Sequence, residues 1–388
     1  MANEVETMRN GATFSYWERK HFFDSCDLIV IGAGIVGYST ALHYKRSNPN
    51  AKVLVLERGL LPSGASSKNA GFACFGSPTE LVDDLQRFDE TTVWETVALR
   101  LEGLRYLEEI IGAQNMDLQI KGSWDLIKEN EASVQKETNA YLPEFNAALE
   151  KISGEKDVYS WDGEVTSKFG FKGILGGFKN RLEGQIDTSK MNAVYYQRII
   201  EAGISVLFGV EAQELQVETN RVCVKTNLGE IRADQVAICT NGFAKQFLTD
   251  DDIAPARAQV LITNPLKKLP FEGTFHYQKG YYYFRNIDGR VLFGGGRNLD
   301  IEGETTTEIA TSDTIQNSLQ QLLSEVILPN TPYSIDHSWA GIMGVGTTKK
   351  PIVKEVQPNI FCGVRLGGMG VAIGSLVGKQ LAQLIKEA

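Results

Sequence analysis

An α/β fold with a parallel sheet opening on a nucleotide-type turn is what this sequence predicts, on three observations. Leu28 to Ile31 are consecutive β-favouring apolar residues, and a strand buried on both faces in a parallel sheet reads as such a run. The run leads straight into Gly32-Ala33-Gly34-Ile35-Val36-Gly37, and a helical pattern then continues through Leu42 and Tyr44. A second apolar strand, Lys52 to Glu57, ends in an acid 20 residues after Gly37 (57 − 37).

Each part of this pattern has a physical reason. Gly32 makes the tight turn, Gly34 lets the backbone approach a pyrophosphate, and Gly37 lets helix and strand pack closely. The helix that starts at Ile35 and Val36 presents free N–H groups and a partial positive charge to phosphates. At this spacing the Glu57 carboxylate meets the two hydroxyls of an adenosine ribose. It would repel a 2′-phosphate, which disfavours an NADP-type nucleotide. A glycine-rich turn in another α/β domain could share single features by chance, but not the order strand, turn, helix, strand, acid. A dinucleotide site is expected.

Composition sets the outer limits. The chain has 388 residues with 43% apolar content, enough for a large core and two domains. The net charge of −9 and the absence of a Lys/Arg-rich run argue against nucleic acid. No stretch approaches the ~18 apolar residues of a membrane span. The start, Met1-Ala-Asn-Glu-Val-Glu6, lacks the basic and apolar regions of a signal peptide, so a cytoplasmic protein is expected. The five cysteines, Cys26, Cys74, Cys223, Cys239 and Cys362, are scattered without a Cys-x-x-Cys, which argues against disulfides, zinc and a dithiol centre. The four histidines, His21, His43, His276 and His337, form no metal pattern, and no metal is expected.

The remaining elements follow in order. Phe14, Tyr16, Trp17, Phe22 and Phe23 form an aromatic cluster ahead of the first strand, expected to pack on the body of the protein. The stretch Arg58 to Gly71 is rich in Gly, Ser and Asn and carries no acid. It reads either as a surface loop or as a second phosphate cradle, with close backbone approach and donors from Ser66, Ser67 and Asn69. Residues 80 to 182 read mostly as helix, for example Val97 to Ile111, and become glycine-rich around Gly170 to Gly177. A helix capped by Asp187 or Thr188, a strand Ser205 to Phe208 and a hairpin turning at Asn227-Leu228-Gly229 follow. Gln235 to Gly242 is a buried strand ending in a small-residue turn. Asp288-Gly289 between alternating β-formers, Phe275 to Arg285 and Arg290 to Gly296, is a strong hairpin signal. A last strand, a glycine loop and a closing helix over 370–386 end the chain.

These motifs together resemble the FAD-dependent D-amino-acid oxidase superfamily, the group of glycine oxidase, sarcosine oxidase and γ-glutamylputrescine oxidase. Gly64-Ala65-Ser66-Ser67 with Asn69-Ala70-Gly71 is similar to the family loop that wraps the flavin, and Arg58 precedes it. Ala212 matches the stretch that meets adenine, and Thr240-Asn241-Gly242 the turn beneath the pyrophosphate. Gly341 lies in the Trp-x-Gly stretch. Gly367-Gly368-Met369-Gly370-Val371 matches the glycine loop and helix start near the flavin ring, where a helix dipole stabilises negative charge. The hairpin looks most like the γ-glutamylputrescine oxidase branch. Its sheet is implied to face the flavin through either Tyr281, Tyr283 and Arg285, or Tyr282 and Phe284.

The resemblance implies a Rossmann-type, glutathione-reductase-like FAD-binding domain (1–80, 183–255 and 330–388) plus a mixed-sheet α+β substrate domain (81–182 and 256–329). It implies non-covalent FAD and hydride transfer from a small amine or amino-acid-like substrate to flavin N5, leaving an imine that water hydrolyses. Tyr283, Arg285, Met343 and Met369 are the candidate catalytic residues, with O2 or another carrier as electron acceptor. Departures are also visible. Met343 stands where amino-acid-oxidising relatives place a carboxylate-binding arginine, Ala372 where sarcosine oxidases place a basic residue, and Leu292 where they place a lysine. The loop histidine is replaced as well. Arg285, Arg297 and Arg365 are substitute anion-binding candidates, set against plain surface salt bridges. A 2-hydroxy-acid dehydrogenase of the same superfamily and a non-catalytic flavoprotein subunit are the alternatives.

Overall fold

A computed structural model describes residues 13–269 and 271–387. In chain order its strands are β1 (Cys26–Ile31), β2 (Val53–Glu57), β3 (Phe72–Ala73), β4 (Ser123–Lys128), β5 (Tyr159–Asp162) and β6 (Ile174–Asn180). They continue with β7 (Gly184–Gln185), β8 (Ser205–Phe208), β9 (Ala212–Val217), β10 (Val222–Thr226), β11 (Gly229–Ile238) and β12 (Ala254–Thr263). The last are β13 (Thr274–Tyr277), β14 (Tyr282–Ile287), β15 (Arg290–Gly295), β16 (Ile335–Val345), β17 (Ile352–Gln357) and β18 (Ile360–Val364). The chain divides into two compact units. Unit 1 is Met1–Ser67, Met191–Pro255 and Met343–Ala388; unit 2 is Lys68–Lys190 and Ala256–Ile342.

Unit 1 is built on a sheet ordered β17-β18-β11-β1-β2-β8, with β10 and β9 attached beside β11. The β18, β11, β1, β2 and β8 pairings are parallel. Leu28 sits between Gln235 and Val53 in the register. Leu28, Ile29 and Val30 are fully buried, which is why a run without polar alternation suits this place. The helices Ile35–Ser47 and Gly370–Glu387 lie against one another. A Cβ on Gly378 would sit 2.6 Å from the Val36 carbonyl oxygen, so glycine permits this approach. The Ser39 hydroxyl crosses it to donate to the Ser375 carbonyl at 2.6 Å.

Unit 2 holds a second sheet, ordered β16-β12-β15-β14-β13-β4-β6-β5. The β14–β15 hairpin turns at Asp288 (φ 49°) and Gly289 (φ 70°); both are left-handed, as a two-residue hairpin turn requires. One face of this sheet is aromatic. Phe275 stacks on Phe284 with centroids 4.8 Å apart, and Phe171 and Phe271 meet both edge-on.

Two expectations are corrected, and a third holds in the main: the stretch 80–182 is mostly helical, with the long helices Glu90–Ile111 and Ala132–Ser153, and it also holds β4, β5 and β6. The glycine-rich segment is strand β6, where a Cβ on Gly176 would collide with the Trp161 ring; a close-packed neighbour overrides weak strand propensity. Segments 68–80, 183–190 and 330–342 lie in unit 2 rather than in the nucleotide unit, because β3 pairs with β7 and β16 pairs into the second sheet. In the N-terminal aromatic cluster Phe23 packs on the unit 1 core and Phe14 lies 4.5 Å from it. Tyr16 and Trp17, however, are 66% and 72% exposed. The expectation built on residues 1–12 lies outside the described residues.

Candidate functional site

Unit 1 carries the glycine turn and the acid that follows it. Gly32 has φ +108°, and a Cβ there would lie 2.9 Å from the Cys239 carbonyl oxygen. A Cβ on Gly37 would collide with the Gly32 carbonyl oxygen. Gly34 is the N-cap of the helix Ile35–Ser47 and offers no side-chain cap of its own. Ile35 N–H donates to Ser66 Oγ at 3.0 Å. The Glu57 carboxylate stands at the same turn: Oε2 accepts from Ala33 N at 3.2 Å, and Oε1 from Gly59 N at 2.9 Å and Ser63 Oγ at 3.4 Å.

The other candidates in this unit divide by what they touch. Arg58 lies 3.8 Å over the Phe243 ring. Gly64 faces open space, and Ala65 follows it. Ser67 Oγ donates back to Pro62 O at 2.5 Å, so that hydroxyl serves its own loop. Ala212 is buried on β9. Thr240 Oγ1 is buried without a partner among the described residues, and Gly242 nearby is buried as well. Asn241, at φ +46°, spends its Oδ1 on the N–H groups of Arg365 and Leu366 at 3.1 and 3.2 Å. It braces the glycine loop. In that loop Gly367 and Gly368 have φ +56° and +82°, Met369 N donates to Leu366 O at 2.9 Å, and the helix starts at Gly370 with Val371 buried. Met343 Sδ lies 3.2 Å from where a Gly368 Cβ would sit. Arg365 is spoken for, its Nη1 donating to Asp252 Oδ2 at 2.7 Å. A glycine turn with no room for a Cβ, a helix N-terminus whose N-cap is glycine, a ribose-spaced carboxylate and the Thr240 hydroxyl, unpartnered among the described residues, suit a dinucleotide.

Unit 2 carries a separate cluster. Asn69 Oδ1 accepts from Gly71 N at 2.8 Å and Thr188 Oγ1 at 2.9 Å, and Ala70 between them is buried. Gly341 lies against Lys68, whose carbonyl accepts from Trp339 Nε1 at 3.0 Å. Gly71 has φ +72°, and a Cβ there would come within 2.9 Å of Arg285 Nη2. Tyr282 and Phe284 point into the aromatic core. Tyr283 and Arg285 take the other face, where the Phe72 ring meets Tyr283 at 5.7 Å and His276 at 5.3 Å. Of the two alternating sets, Tyr283 and Arg285 are thus the pair that faces the Gly71–Phe72 segment. Tyr281 lies just before the strand and is 44% exposed.

The electrostatics of this cluster are unusual. Arg285 is 2% exposed, its Nε has no partner, and burial pulls its guanidinium down to about 10 despite more distant acids. Burial raises the Tyr283 hydroxyl to about 12 and lowers the His276 imidazole to about 4. Glu183, missed by sequence reasoning, is fully buried, and burial lifts its carboxyl to about 7. Its Oε1 accepts from Phe75 N at 2.7 Å and Gly76 N at 3.0 Å. An acid directly before a Gly-Gln strand start was the only signal, and nothing in it marks burial.

The family profile described as "DAO: FAD dependent oxidoreductase" matches residues 27–384. The chain is 21% identical to "Probable oxidoreductase OrdL" of Haemophilus influenzae, over 96% of this chain and 89% of that protein. It is 22% identical to "Gamma-glutamylputrescine oxidoreductase" of Escherichia coli K12, over 93% and 84%. Among solved structures, glycine oxidase from Geobacillus kaustophilus has a TM-score of 0.75 at 18% identity, covering 94% of this chain and 95% of that one.

Proposed function

The chain belongs to the DAO family of FAD-dependent oxidoreductases, and from that premise we propose that it oxidises the C–N bond of a small amine or amino-acid-like substrate bearing an anionic group. The buried Arg285 carries this reading. A guanidinium 2% exposed, with an unpartnered Nε and no salt bridge among the described residues, is a costly arrangement that an anionic ligand relieves by paired, charge-assisted hydrogen bonds. The amine half of the reading is supported by relatives named for γ-glutamylputrescine and glycine.

The dinucleotide part of FAD would be held by the Gly32–Gly37 turn, Glu57, Ser66 and the Thr240–Gly242 turn. FAD would be bound without a covalent link. Cys74 is buried and its thiol is pushed well up by burial and by Glu183, which makes it a poor nucleophile. FAD held there would supply the redox chemistry, as acceptor of a hydride from the C–H beside the substrate nitrogen. The protein's share is positioning. Arg285 fixes the substrate's anionic group, and Tyr283 stays protonated through the neutral range and donates a hydrogen bond. The N-terminus of the helix from Gly370 offers N–H groups to negative charge. The imine product is hydrolysed by water, so no protein nucleophile is needed; electrons leave to O2 or another carrier.

The test is anaerobic absorbance titration of the flavoprotein against a panel of neutral, cationic and carboxylate-bearing amines and 2-hydroxy acids. Carboxylate-bearing amines should bleach the flavin, and Arg285→Met should weaken that binding by about 10- to 100-fold without loss of flavin. Equal bleaching by neutral amines, or an unaffected Arg285→Met variant, would remove the anion-binding role. Bleaching by 2-hydroxy acids alone would move the chemistry from C–N to C–O oxidation.

A further inference from the structure

We propose that Cys74, Glu183 and His276 form a binding site for one zinc-type divalent ion within unit 2. The three come from separate places in the chain: the residue after β3, the residue before β7, and the middle of β13. Their ligand atoms, a thiol sulfur, a carboxylate oxygen and an imidazole nitrogen, all lie within 4.8 Å of one another. A sulfur, nitrogen and oxygen set is what Zn2+ takes, at bond lengths that separate neighbouring ligands by roughly 3.5 Å. Small side-chain movements close the remaining distance.

A second observation points to a ligand. Glu183 is 0% exposed, and its two oxygens are treated differently. Oε1 is fixed by the N–H groups of Phe75 and Gly76, while Oε2 has no hydrogen-bond partner. A carboxylate clamped through one oxygen, whose other oxygen has no hydrogen-bond partner among the described residues and which has the Cys74 thiol beside it, is pre-organised to coordinate. No Lys or Arg salt bridge to Glu183 exists among the described residues to neutralise it. Cys74 is 4% exposed, and the Phe72 ring, edge-on at 64°, fixes the plane of His276. His276 is the partly exposed member and offers the way in. Three protein ligands leave a fourth position for water. The ion would tie the Phe72–Gly76 segment to β13. This inference does not depend on the anion-binding role of Arg285.

The flavin-containing protein would be stripped with EDTA, loaded with Zn2+ or Co2+, passed through gel filtration and assayed for metal by mass spectrometry. One ion per chain is expected, and Co2+ should give thiolate charge-transfer and tetrahedral d–d absorption, the latter to the red of the flavin bands. Cys74→Ser and His276→Gln should lose the ion and the cobalt spectrum while keeping flavin. Wild-type protein that retains no ion overturns the proposal even if a variant does not fold. Equal retention by wild type and both variants overturns it too, since the ion would then sit elsewhere. Zn2+ should also raise the wild-type melting temperature and leave that of His276→Gln unchanged.

Discussion

Single side chains decide what each half can hold. Glu57 joins the glycine turn to the following loop through three hydrogen bonds and is spaced to meet a ribose. Glu57→Ala should lower flavin occupancy of the purified protein about tenfold or more while far-UV circular dichroism stays unchanged; full occupancy would show that the acid only braces the loop. Gly71 is bound by a different constraint. Its φ of +72° and the Ile186 carbonyl oxygen 2.5 Å from any Cβ make alanine strained and crowded at once. Gly71→Ala should cost about 1–3 kcal/mol of stability in denaturant titration. It should also displace Arg285 and weaken binding of anionic substrates.

At the level of elements, the sheets are held by their register and the helices by small residues. The contact between Ile35–Ser47 and Gly370–Glu387 depends on Gly374 and Gly378, whose missing Cβ atoms admit Ile35 and Ser39. Gly378→Val would drive a branched side chain into the Val36 carbonyl and Ser39. A loss on the order of 2–4 kcal/mol is expected, read as a lowered melting temperature. Flavin should be released as well, because the first of these helices follows the glycine turn proposed to hold the dinucleotide; a stable, fully flavinated variant would contradict this packing. In unit 2 the hairpin puts Tyr283 and Arg285 on one face and Tyr282 and Phe284 on the other by the two-residue period of a strand.

The stability of the whole molecule should depend on pH through a few buried groups. Burial, helped by Arg46 and Lys379, lowers the His43 imidazole from 6.5 to about 4. Its contribution is therefore present above pH 6.5 and lost as pH falls through about 4, at most about 3 kcal/mol. Burial raises the Asp125 carboxyl from 3.8 to about 6, so its share runs the other way, present below 3.8 and lost as pH rises through about 6. His43→Gln isolates the first effect: its melting temperature should fall less than that of wild type between pH 7 and pH 4.5. Parallel curves would show that His43 titrates alike in the folded and unfolded states. No helix among the described residues is long and apolar enough to cross a membrane.

The sequence by itself determined the strand, glycine turn and helix of unit 1, because their signals are local. A buried parallel strand is a contiguous apolar run, a pyrophosphate turn is three glycines at fixed spacing, and the Asp288-Gly289 hairpin is marked by residues that tolerate left-handed backbone. Each is read within a few neighbours. Only the tertiary structure decided the rest. Strand β6 depends on Trp161 filling the space over Gly176. Asn241 spends its Oδ1 on the N–H groups of Arg365 and Leu366, and Arg365 is taken by Asp252 while Arg285 has no carboxylate partner among the described residues. Cys74, Glu183 and His276 meet only because β3 pairs with β7 and β13 lies nearby. Burial and partnership depend on residues distant in the chain, and they set both the cost of a buried charge and the ligand that would relieve it.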